Sequence, residues 1–117
     1  LHRRRHSFPT RRSSDLFLAR ALLQNPTVLL LDEPTNHLDP EARFFFWAAL
    51  EGVMTQTRCK VLVSTHDLEF ARRRANSICA FKEGRVVANS KAREFWNIEN
   101  IAEVYGEGPA RHFIGVL

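Results

Sequence analysis

Val28-Leu29-Leu30-Leu31 is an apolar run of strand length that stops abruptly at two adjacent carboxylates, Asp32 and Glu33. Its apolar residues do not alternate with polar ones, so the run predicts a strand covered on both faces. Such strands belong to the parallel sheets of α/β proteins, which present functional groups at the C-terminal ends of their strands. A polar turn, Pro34-Thr35-Asn36-His37, and a third carboxylate, Asp39, follow at once. Two acids at a strand end suit nucleotide hydrolysis, with Asp32 serving Mg²⁺ and Glu33 the attacking water. A core strand followed by solvated acids is the competing reading of the Asp-Glu pair alone.

The flanking segments supply the rest of an α/β frame. Phe17–Leu23 is rich in helix formers and Asn25-Pro26 stops it, so it reads as the last turns of a helix. Asp39-Pro40-Glu41 is a helix start, in which Asp39 can cap, Pro40 suits the first turn and Glu41 favours the positive helix end. That helix is expected to run to about Thr55 with Phe46, Leu50, Val53 and Met54 on one face. The succession Phe44-Phe45-Phe46-Trp47 covers more than half its circumference and reads as a crowded core helix, with a docked neighbour as the other reading. Lys60–Ser64 is a second strand, completing a βαβ unit. A short helix is expected from Asp67 to about Arg74, with Arg72-Arg73-Arg74 as a solvated face. Ser77–Lys82 and Arg85–Ser90 flank Glu83-Gly84, a two-residue hairpin loop. Two short helices, Lys91–Asn97 and Ile98–Tyr105, follow, and Gly106-Glu107-Gly108-Pro109 is expected to close the ordered part. Cys59 and Cys79 lack metal-ligand spacing and read as small buried thiols.

Residues 28–39 resemble the Walker B segment and D-loop of ATP-binding-cassette (ABC) ATPases. Leu18-Ala19-Arg20-Ala21-Leu22 resembles the helix after that family's signature loop, Val61–Asp67 its strand and switch histidine, and Phe81–Val87 the hairpin beyond. The resemblance covers Phe17 to about Gly106. It implies an α/β fold, the C-terminal part of a RecA-like P-loop NTPase core with parallel strands, a terminal hairpin and short helices. It also implies ATP and Mg²⁺ as ligands, with Asp32 reaching the metal through water, Glu33 as catalytic base and His66 as the residue contacting the γ-phosphate. Asn36, His37 and Asp39 would form the D-loop, facing a second ATPase subunit and its nucleotide. Thr35–Pro40 and Glu99–Gly106 resemble importers of iron-chelate, haem and cobalamin type. The implied partners are membrane permease subunits, at the cytoplasmic face of a cell membrane, and no nucleic acid. A soluble ABC-F-type ribosome-associated ATPase is the alternative. That group usually has Ser-His-Asp-Arg and an aromatic after the switch histidine, unlike Thr65-His66-Asp67-Leu68-Glu69-Phe70.

Two features set bounds on that expectation. The net charge of +4 comes entirely from residues 1–16, where Arg3, Arg4, Arg5, Arg11 and Arg12 oppose only Asp15. His6–Leu16 resembles the translation of a common short-read sequencing adapter, so residues 1–16 are expected to be non-native and 17–117 to be a truncated ATPase domain. No Gly-x-x-x-x-Gly-Lys-Ser/Thr loop occurs in the sequence. Backbone amides of that loop supply most of the grip on nucleotide phosphates, so this polypeptide alone is expected to bind no ATP, and non-function of the literal chain is a third reading.

Overall fold

A computed structural model describes residues 8–115, which divide into two compact units, the first ending at His66 and the second beginning at Asp67. The first unit contains α1 (Phe8–Leu23), β1 (Val28–Asp32), α2 (Pro40–Gln56) and β2 (Lys60–Ser64). The expected seam at residue 16 lies within α1, while residues 1–7 fall outside the described residues. α1 stops where Asn25 turns into the left-handed region at φ 51°, immediately before Pro26. α2 begins as its sequence requires: the Asp39 carboxylate accepts the Ala42 amide at 2.8 Å, and Pro40 occupies the first turn.

β1 and β2 pair in parallel with no slippage, from Val28 opposite Lys60 to Asp32 opposite Ser64. Burial on this two-stranded ribbon is one-sided. Leu29 is 6% exposed, whereas Leu30 and its cross-strand neighbour Leu62 are 68% and 67% exposed. The expectation of a strand covered on both faces is therefore corrected. Successive side chains leave a strand on opposite faces, and among the described residues only the Leu29 face is enclosed. The core of this unit gathers Leu18, Leu29, Leu38, Ala42, Phe46, Trp47 and Leu50, and α1 packs against α2. The aromatic run of α2 splits by helical phase. Phe46 and Trp47 are buried with ring centroids 5.3 Å apart, while Phe44 and Phe45 form an exposed edge-to-face pair.

The second unit contains α3 (Leu68–Arg74), β3 (Ser77–Lys82), β4 (Arg85–Lys91), α4 (Ala92–Phe95), α5 (Ile98–Tyr105) and α6 (Glu107–Gly115). Asp67 caps α3 by accepting the Phe70 amide at 3.0 Å. Along α3, Arg73 pairs with Glu69 at 3.9 Å and Arg72 lies 6.0 Å from the Trp96 ring centroid, so the arginine run is partly engaged. β3 and β4 form an antiparallel hairpin whose loop residues, Glu83 and Gly84, both have positive φ (52° and 77°), as a type I′ turn demands. Ala80 faces the core, which places neighbouring Cys79 on the exposed side, contrary to its reading as a buried thiol. Asn97 caps α5 through the Asn100 amide, and Gly106 ends it at φ 95°.

The chain does not lose order after Gly106 as expected, because Glu107–Gly115 is a nine-residue helix packed on α5. Pro109 sits in the first turn, where no intrahelical partner for its missing N–H is needed. Fully buried Ala110 joins Ala80, Phe95 and Ile101 in one core cluster. The Gly-x-Gly-Pro pattern thus marks a sharp corner between two helices.

Candidate functional site

Asp32 closes β1 with Glu33 immediately after it, and Ser64 closes β2 beside them with Thr65 and His66 following. Because Asp32 is paired with Ser64 in a parallel ladder, their side chains stand on the same face. The Ser64 hydroxyl donates a hydrogen bond to Asp32 Oδ1. One residue later the strand alternation is broken. Glu33 adopts φ 44°, a left-handed conformation that costs a residue with a Cβ about 1 kcal/mol or more. Its amide is held there by the Ser64 carbonyl and the Ser64 hydroxyl, each accepting at 2.9 Å.

That kink brings Glu33 Oε1 within 3.7 Å of His66 Nε2, across 33 positions of sequence. Both side chains are open to solvent, His66 at 80% and Glu33 at 45% exposed, so the imidazole and carboxylate can both reach a ligand docked at this edge. A carboxylate next to an imidazole can accept a proton from water while the ring donates to an anionic oxygen.

After Glu33 the chain makes two consecutive turns. The Asn36 amide donates to the Glu33 carbonyl at 3.1 Å, with Pro34 presetting the first corner, and the Leu38 amide donates to the Thr35 carbonyl at 3.1 Å. His37, at φ 70°, occupies the position of the second turn that needs a left-handed residue. Leu38 and Thr35 are buried and anchor the loop, so Asn36 and His37 project outward. Asp39 is committed to capping α2 through Oδ1. The structure thus brings Asp32, Glu33 and His66 together at one edge and leaves Asn36, His37 and Asp39 on the loop that follows.

Ser64 was not singled out from sequence. Two strands of equal length, ending at Asp32 and at Ser64, carried the signal, since an in-register parallel pair sets those two residues side by side. As a metal site the edge is sparse. Among the described residues no three His, Cys, Asp or Glu side chains converge to hold an ion. A single carboxylate matches Mg²⁺, which retains waters and takes its other ligands from phosphates, and fits no all-protein cage.

A family model described as "AAA domain, putative AbiEii toxin, Type IV TA system" matches residues 10–72. The Nod factor export ATP-binding protein I of Burkholderia thailandensis is 40% identical over 99 residues, covering 82% of this chain and 32% of that protein. Its counterpart in Cupriavidus metallidurans is 38% identical over 95 residues, covering 79% of this chain and 31% of that protein. The chain therefore spans about a third of the length of these curated relatives. Among solved structures, cbiO1 from Clostridium perfringens, part of the ABC transporter complex cbiONQ, superposes with a TM-score of 0.60. That likeness covers 82% of this chain and 39% of that chain at 23% identity, and it establishes an α/β fold of the ABC ATPase kind.

Proposed function

The chain belongs to the AAA-domain family, and on that premise we propose that it carries the hydrolytic edge of an ABC transporter ATPase. It is homologous to ATP-binding subunits of such transporters. The observation that carries the reading is the 3.7 Å approach of Glu33 to His66 beside Asp32, at the shared C-terminal edge of two parallel strands. ATP is the substrate. Asp32 would hold Mg²⁺ through water, and the ion supplies charge neutralisation on the phosphates when bound.

Glu33 accepts the proton of the attacking water, a role supported by the left-handed backbone at Glu33 and the nearness of its carboxylate to His66. His66 donates a hydrogen bond to a γ-phosphate oxygen and limits where that water can sit. Phosphoryl transfer to water asks for positioning and charge stabilisation more than covalent chemistry, which two exposed side chains on rigid strand ends can provide. Asn36 and His37, carried outward by the double turn, together with Asp39, would face the nucleotide of a second ATPase subunit. Permease subunits in a membrane, with the ATPase peripheral on its cytoplasmic side, complete the assembly. Among the described residues no helix is long and apolar enough to cross a membrane.

The direction of transport has two readings. Thr35–Pro40 and Glu99–Gly106 favour uptake of a metal chelate or related solute, whereas the curated relatives are export proteins and favour efflux. Residues 1–16 we read as non-native, and an uninterrupted genomic reading frame encoding them would refute that. For activity, residues 17–117 exchanged into the matching part of the Burkholderia thailandensis relative should support ATP hydrolysis. In that chimera Glu33→Gln should keep ATP binding and lower turnover about 10²–10⁴-fold. Turnover unchanged by the substitution would remove Glu33 from the role of base.

A further inference from the structure

Ser64 makes more contacts to the paired acids than any role in strand pairing requires. Its carbonyl takes the Glu33 amide at 2.9 Å, which continues the backbone ladder by one bond. Its hydroxyl adds two interactions that a strand residue does not need: it accepts the same amide at 2.9 Å and donates to Asp32 Oδ1. A hydroxyl has one proton to give and two lone pairs, so both bonds are satisfied together. The proton is spent on Asp32, which leaves the oxygen oriented to receive Glu33 N–H. One side chain on β2 therefore touches both acids of β1, one by its carboxylate and the other by its backbone.

We propose that Ser64 is a positioning residue for the acidic pair, aiming the Asp32 carboxylate and clamping the left-handed turn that carries Glu33 to His66. Without the clamp, a Glu at φ 44° relaxes toward ordinary extended backbone. Strand alternation would then place its side chain on the face opposite Asp32. His66 would lose its neighbour even though neither His66 nor Glu33 had been altered. A residue carrying no charge and touching no substrate thus decides whether the edge is assembled.

The inference rests on the reading of Asp32 and Glu33 as the hydrolytic acids, but its test needs no hydrolysis. The full chain is compared by nuclear magnetic resonance as wild type, Ser64→Ala and Ser64→Thr at one pH. In Ser64→Ala, Glu33 amide exchange should quicken about fivefold, the effect of one lost hydrogen bond, and the Asp32 carboxyl carbon shift should move. The amides of Leu29 and Leu31 should keep their rates, and Ser64→Thr, which retains the hydroxyl, should restore both signals. Unchanged Glu33 exchange and Asp32 shift in Ser64→Ala would overturn the proposal. So would an equal rise in exchange along all of β1, which marks general loosening, or a failure of Ser64→Thr to rescue. Should the clamp signature appear while Glu33→Gln leaves turnover intact in the chimera, the positioning role stands and the hydrolytic reading falls.

Discussion

Leu29 and Leu30 are consecutive in β1 yet meet opposite surroundings, so a pair of Leu→Ala substitutions weighs the one-sided burial of this ribbon directly. Leu29 is almost wholly enclosed, while Leu30 keeps only about a third of its surface covered. Fully burying a leucine side chain is worth about 1.5–3 kcal/mol. Truncating a core leucine costs about 2–5 kcal/mol, because the void left behind refills only in part. Leu29→Ala should therefore lower the unfolding free energy by about 3 kcal/mol. At Leu30 the transfer contribution scales with the covered third and no cavity forms, so the loss should be about 0.5–1 kcal/mol. Both variants exchange the same two residue types in the same strand, so intrinsic strand preference largely cancels in their difference. Urea denaturation followed by far-ultraviolet circular dichroism gives both values. If the two losses agree within about 0.5 kcal/mol, Leu30 is covered in solution and the reasoning from the exposed face fails.

Four further outcomes follow from the same geometry. Asp39→Ala should cost about 1 kcal/mol by removing the cap on the Ala42 amide, and Asp39→Asn much less, both read in urea midpoints. Ile101→Ala, at the centre of the second core cluster, should cost about 2–4 kcal/mol and quicken amide exchange throughout β3, β4 and α5. Glu83→Asn should raise stability by a few tenths of a kcal/mol, since Asn tolerates the positive φ of the hairpin turn better than Glu. Burial raises the pKa of Tyr105 above 10.0, so the folded state favours the neutral phenol. Its contribution is present below the unfolded value and is lost as pH rises through the folded one. Tyr105 is the only tyrosine in the chain, so phenolate absorbance follows it alone, and Tyr105→Phe should flatten the alkaline loss of stability.

Much of the fold was legible because its cues are local. The Asp39-Pro40 start, the Asn25-Pro26 stop and the Glu83-Gly84 turn depend on bonds spanning a few residues, and each is found at its expected place. The end of the chain misled for the same reason. Gly106 and Pro109 signal a break, and only the contacts of Ala110 with the cluster around Ile101 reward a new helix immediately after it. Among the site residues, the types and order of Asp32, Glu33 and His66 were readable, as was their place at strand ends.

The order of amino acids is enough to say which chemical groups the chain carries and which element each one terminates. Periodicity, caps and turn residues are decided among near neighbours, so they need no knowledge of the rest of the molecule. Packing and strand register are what turn Leu30 and Leu62 outward, let Ser64 rather than another residue grip both acids, and bend Glu33 toward His66. Each of those outcomes depends on the register of β1 against β2 and on one backbone angle at their common edge. A shift of a single residue in that pairing would reverse every face while leaving the amino-acid order untouched.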